Sequence, residues 1–167
     1  EDANYLDIHH YELDEMDPIV ARPFSPANTC GVREVQGVEI DKAYIGSCTG
    51  AKLEDLRAAS RLFKDKKVKV RTEVLPAAQS IYISALREGL VDIFVNAGCV
   101  VGPPTCGACC GAHMGVVGPK DVCISTTNRH LPGRMGDIES QTFLASPLVV
   151  AASAINGKIT DPRDITT

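Results

Sequence analysis

Three cysteines of this chain sit in turns that could hold a metal. Cys48 lies within Gly46-Ser47-Cys48-Thr49-Gly50, and Cys106 and Cys109 form a C-x-x-C pair within Pro103-Pro104-Thr105-Cys106-Gly107-Ala108-Cys109-Cys110-Gly111. Glycines and small residues around thiols let the backbone approach an inorganic group closely and aim N–H groups at it. Three thiolates can hold three irons of a cubane and leave the fourth open as a Lewis acid, suited to drawing a hydroxyl off carbon. Spacing alone leaves other chemistries open. Cys106 and Cys109 also suit half of a zinc site, completed by His113 or Cys110, or a thioredoxin-like dithiol, or inert thiols. Cys30, Cys99 and Cys123 have the setting of small core fillers. Cys110 must point elsewhere if its neighbour Cys109 is a ligand.

A second constellation follows in Thr126-Thr127-Asn128-Arg129-His130-Leu131-Pro132-Gly133-Arg134-Met135-Gly136. Arg129 and Arg134, in a loop shaped by Pro and Gly, suit carboxylates, because guanidinium pairs with them bidentately. Asn128 can hydrogen-bond a hydroxyl or carboxylate beside the thiols. In isolation such a loop reads slightly better as a surface loop whose arginines meet solvent or local acids. Together with metal–thiolate chemistry it describes a site for a di- or tricarboxylic acid.

The elements that must position these groups alternate between strand and helix. Val38–Ile45 reads as a strand feeding the Cys48 turn. A helix over Leu53–Lys64 follows, with Leu53, Leu56, Ser60 and Phe63 on one face. Val68–Leu75 is a second strand, stopped by Pro76. Ser80–Glu88 is a second helix, with Ile81, Ala85 and Leu86 turned inward. Leu90–Ala97 suits a strand by its β-branched content and a short helix by its spacing. Val100–Val101 leads into the C-x-x-C turn, Val122–Ser125 is a short strand, and Ser146–Ile155 is an Ala-rich helix. The pattern predicts an α/β fold, a three-layer sandwich with a mostly parallel sheet covered on both faces. Residues 1–37 read as an extended lead-in or linker from a preceding domain, with one short strand near Tyr5–Ile8, and residues 38–167 as the α/β domain. In such folds ligands gather where strand ends turn into helix starts.

Composition narrows the classes. With 44% hydrophobic and 23% charged residues, the chain is ordinary globular material. A formal net charge of −4 argues against a nucleic-acid partner, since phosphates need an excess of Lys and Arg. The basic run Lys64-Asp65-Lys66-Lys67-Val68-Lys69 reads as a solvated helix end. No apolar stretch reaches membrane-spanning length, and no signal peptide is visible. Seven cysteines, an odd number, make a poor disulfide framework. A reducing compartment, the cytoplasm, is therefore expected. The chain does not begin with Met, so a fragment or processed product is expected, with parts of the functional protein missing.

These motifs, in this order, resemble the third domain of the aconitase superfamily. The resemblance rests on Ile45-Gly46-Ser47-Cys48-Thr49, on Cys106-Gly107-Ala108-Cys109 and on Thr127 through Arg134. It runs from about Arg22 to the C-terminus and takes in Phe143-Leu144-Ala145-Ser146-Pro147. Within the superfamily it is strongest to large subunits of isopropylmalate isomerases and homoaconitases. The resemblance implies a 4Fe–4S cluster on Cys48, Cys106 and Cys109, with one open iron that binds substrate hydroxyl and carboxylate. Air can strip such a cluster. It further implies that Arg129 and Arg134 bind substrate carboxylates, with Asn128 close by. The implied reaction dehydrates a small hydroxy acid and rehydrates it with the hydroxyl on the neighbouring carbon. Isopropylmalate, homocitrate or homoaconitate, citrate and dimethylmalate are the candidate substrates. The family's base is a serine on a small subunit or swivelling domain, and its first two domains supply further acidic and histidine residues. None has a counterpart here, so this polypeptide alone is expected to be inactive. Gly50-Ala51 replaces the Asn and small polar residue that many relatives carry, which bears on substrate subtype rather than on the cluster.

Overall fold

Strand and helix assignments come from a computed structural model, which describes residues 3–165. The strands are β1 (Ile19–Ala21), β2 (Thr29–Gly31), β3 (Lys42–Gly46), β4 (Arg71–Leu75), β5 (Val100–Val101), β6 (Val122–Ser125) and β7 (Gln141–Ala145). The helices are α1 (Val32–Val35), α2 (Ser47–Gly50), α3 (Leu53–Phe63), α4 (Gln79–Arg87), α5 (Leu90–Ala97) and α6 (Pro147–Asn156). The strands form one sheet in the order β2-β1-β7-β6-β3-β4-β5. From β7 to β5 all neighbours are parallel, while β1 pairs antiparallel with both β7 and β2. The mostly parallel α/β sheet is the one the alternation predicts.

Chain direction explains what covers each face. β3, β4 and β5 step one way across the sheet, and β6 and β7 step the other way from β3. Right-handed crossovers then place the helical connections on one face and residues 102–121 and 126–140 on the other. On the helical face Ala43, Ile45, Val74, Ile124 and Phe143 meet buried side chains of α3, α5 and α6 in one continuous core. On the opposite face Tyr44, Leu75 and Cys123 are covered by Ala108, Val117 and Met135. That third layer is irregular chain with one 3-10 turn, Gly107–Cys110, in place of long helices.

Local chemistry sets the helix boundaries. The Asp55 carboxylate accepts a hydrogen bond from the Lys52 N–H, 2.9 Å, at the start of α3, and Ser146 caps α6 ahead of Pro147. The ambiguous Leu90–Ala97 segment is helical. Leu90, Phe94 and Ala97 are its buried positions, a spacing that a strand cannot turn to one side, and Gly98 ends it in the left-handed region at φ 95°.

Three details differ from expectation. Tyr5–Ile8 forms no strand and is exposed, with no partner strand for it among the described residues. The lead-in contributes β1, β2 and α1 to the sheet and core, with Val20 fully buried. Leu86 faces solvent, 50% exposed, since α4 lies at the rim and turns only Ala85 fully inward.

Candidate metal centre

Because β3, β5 and β6 run parallel, the turns that follow them lie at the same edge of the sheet. These turns carry Cys48, the Cys106/Cys109 pair and the Asn128–Arg134 loop. The Cys48 turn leaves β3 through Gly46 in extended conformation and Ser47 at φ 67°. A left-handed serine is uncommon and marks local strain. Cys48 and Cys106 are exposed and Cys109 is buried; all are free thiols.

Tyr44 joins the two cysteine turns. It is fully buried, and its hydroxyl donates to the Cys106 carbonyl oxygen at 2.8 Å across 62 residues of sequence. A Cβ at Gly46 would lie 2.5 Å from the Tyr44 ring, and one at Gly107 would lie 2.5 Å from its hydroxyl and collide with Leu75. Gly107 also sits at φ 50°, which favours glycine on conformational grounds as well. Thus one phenol packs beneath both turns, and only glycine fits on either side of it. Burial, with Cys109 and Cys106 adding to it, raises the Tyr44 pKa above its ordinary value, so the phenol stays a donor at neutral pH.

The arginine loop locks onto the same two turns. The Gly46 N–H donates to the Thr126 hydroxyl oxygen at 2.9 Å, and the Thr126 N–H donates to the Tyr44 carbonyl at 3.0 Å. A Cβ at Gly50 would collide with Thr126. Further along, Arg134 Nε donates to the Cys109 carbonyl at 2.8 Å. Asn128 and Arg129 are exposed and Arg134 is half-buried. The buried His130 lies between them. Sequence reasoning does not single out Tyr44, Thr126 or His130. The one available signal for Tyr44 is the pair of glycines that must make room for something large.

The remaining cysteines divide as expected. Cys30, Cys99 and Cys123 are buried. Burial pushes the Cys99 and Cys123 thiols up to about 12 and also raises Cys30, so none is a ready thiolate. Of the proposed zinc completions, His113 and Cys110 are both exposed; His113 Nδ1 lies 3.4 Å from the Thr105 hydroxyl. Among the described residues no three His, Cys, Asp or Glu side chains stand close enough to hold a metal ion. The donors nonetheless fit a thiolate-bound cluster in type and place: two adjoining turns at one sheet edge, lined by glycines where a Cβ would intrude. The turns adjoin at that edge, and among the described residues the three sulfurs do not form one ligand set.

A family model described as the aconitase family (aconitate hydratase) matches residues 31–157. The 3-isopropylmalate dehydratase large subunit of Campylobacter concisus (strain 13826) is 51% identical over 99% of this chain and 40% of that protein. The large subunits of the same name from Aquifex aeolicus (strain VF5) and Hydrogenobaculum sp. (strain Y04AAS1) are 48% and 47% identical, each over 98% of this chain. The chain spans about two fifths of the length of the curated relatives it matches.

Proposed function

The chain belongs to the aconitase family, and on that premise we propose that it is the cluster-bearing part of a hydro-lyase of the 3-isopropylmalate dehydratase type. Family membership implies an iron–sulfur cluster. In this reading Cys48, Cys106 and Cys109 hold it as a 4Fe–4S group with one iron free of protein ligands. The observation that carries the reading is the Tyr44 hydroxyl on the Cys106 carbonyl, which ties the two cysteine turns together beside the arginine loop.

When bound, the cluster supplies a Lewis-acidic iron for the hydroxyl and carboxylate of a hydroxy acid. The chain's own residues orient that acid. Arg129, exposed at the loop tip, pairs with one carboxylate. Arg134 spends Nε on the Cys109 carbonyl and keeps its terminal nitrogens for a second carboxylate. Asn128 hydrogen-bonds the hydroxyl or a carboxylate oxygen. The net reaction removes hydroxyl from one carbon and a proton from its neighbour, then returns water with the hydroxyl on that neighbour. The proton-abstracting base belongs to a partner subunit or domain, as do the remaining substrate contacts. Zinc and dithiol alternatives give the arginine loop no part.

Anaerobic reconstitution tests the assignment. Iron and sulfide content should fall to a small fraction in each of Cys48→Ala, Cys106→Ala and Cys109→Ala, and stay near the parent level in Cys30→Ala. Unchanged iron in all three variants would sink the ligand assignment. The reconstituted chain alone should show no turnover; measurable turnover without a partner contradicts the placement of the base elsewhere.

A further inference from the structure

His130 sits between the exposed Arg129 and the stretch leading to Arg134, yet it is only 2% exposed. Its Nε2 lies 2.8 Å from the Arg22 carbonyl oxygen, 108 residues away in sequence. A carbonyl only accepts, so Nε2 carries the proton and donates. Among the described residues Nδ1 has no hydrogen-bond partner. The bond to Arg22 is therefore the one hydrogen bond of this ring among the described residues.

The acceptor is itself held. Arg22 follows β1, its N–H donates to the Asn28 carbonyl at 2.8 Å, and its guanidinium pairs with Glu34 at 3.1 Å. The loop is thus pinned at three places: Thr126 on the Cys48 turn, His130 on the end of β1, and Arg134 on the C-x-x-C turn. Without the middle pin, the stretch from Asn128 to Gly133 would keep, between its end anchors, only the local bonds from the Thr127 hydroxyl to the Arg129 carbonyl at 3.4 Å and from the Arg134 N–H to the Leu131 carbonyl at 2.9 Å. Arg129 would then sample many directions, and each must be given up when a carboxylate is gripped.

We propose that His130 is a positioning residue: its Nε2–H, seated on the Arg22 carbonyl, fixes the loop that presents Arg129 and Arg134 to substrate carboxylates. The proposal rests on the carboxylate-binding reading of Arg129 and Arg134 above. Glutamine can place an amide N–H where Nε2 stands, whereas leucine fills the space without a donor.

Two measurements test it. In this chain, trypsin should cut after Arg129 about tenfold faster in His130→Leu than in the parent or in His130→Gln, as expected when local opening governs cleavage. Cleavage in the Lys64–Lys67 run should stay unchanged. In the assembled enzyme, with 3-isopropylmalate as probe, His130→Leu should raise KM by about tenfold with kcat within about threefold, and His130→Gln should restore it. Unchanged cleavage and KM in His130→Leu, while Arg129→Leu abolishes binding, would overturn the positioning role alone. If Arg129→Leu also leaves KM unchanged, the carboxylate reading falls and the positioning role falls with it. A KM that stays high in His130→Gln would likewise overturn the donor argument.

Discussion

The two faces of the sheet are built on different principles. The helical face is apolar: Ala43, Ile45, Val74 and Ile124 have no exposed surface, and the Phe63 and Phe94 rings meet edge to face with centroids 5.8 Å apart. Its stability comes from area removed from water, which tolerates little loss of volume. The opposite face carries Lys42, Tyr44, Glu73, Cys123 and Ser125, all buried. Each polar group there needs its own partner. Lys42 Nζ lies 3.4 Å from Glu73 Oε1 and 3.4 Å from the Val116 carbonyl oxygen, and Arg71 Nε donates to Glu73 Oε1 at 2.6 Å. The lesson is a division of labour. Helices on one side make the sheet rigid, which frees the other side to carry irregular chain rich in glycine, thiol and arginine.

The comparison can be broken most severely on the apolar side. Phe94→Ala, which empties half of the aromatic pair, should lower the unfolding free energy by about 3–5 kcal/mol in urea denaturation. A loss below about 1 kcal/mol would mean that the helical core repacks freely and is not the rigid partner described. On the polar face, Glu73→Gln leaves Lys42 buried without its counter-charge and should cost about 3 kcal/mol. Lys42→Met combined with Glu73→Leu should recover most of that loss. If the double variant is no better than the single one, the charges are not acting as a pair.

Smaller effects sharpen the contrast. Tyr44→Phe keeps the ring beneath Gly46 and Gly107 but removes the donor to Cys106, at a cost of about 1 kcal/mol. Its clearer signature should be faster alkylation of Cys106, with Cys48 unaffected. The smallest effect belongs to the margin of the helical face, where the buried Asp161 meets Arg163 at 2.6 Å and Arg33 at 3.3 Å. Hydrogen bonds from Arg163 hold its carboxyl below the usual 3.8. Its folded value lies below its unfolded value, so its contribution is complete above pH ~4 and is lost as acid carries the pH down through the lowered folded value. Arg163→Met should flatten the acid limb of a stability–pH profile. An unchanged acid limb would remove Asp161 from the account.

How much was legible beforehand follows the same two faces. Helix α3 is written in the spacing of Leu56, Ser60 and Phe63, all buried as a helical period requires. Leu90–Ala97 resisted because apolar β-branched residues suit either element, and only its packing against the sheet selects the helix. Strand β7 carries no pattern of its own. It forms because Gln141–Leu144 falls in register beside Val122–Ser125. The cysteines and arginines were legible as types, since few side chains bind metals or carboxylates.

The sequence by itself determined the alternation of strands and helices, the thiol inventory and the candidate groups for a hydroxy acid. Periodicity and side-chain chemistry are local, and a single chain displays them directly. Tertiary structure alone decided that the turns after β3, β5 and β6 share one edge, that Tyr44 lies beneath two of them, and that His130 reaches Arg22. Those contacts join residues 62 to 108 positions apart, and they exist only after the sheet order and crossover hand have brought distant segments together.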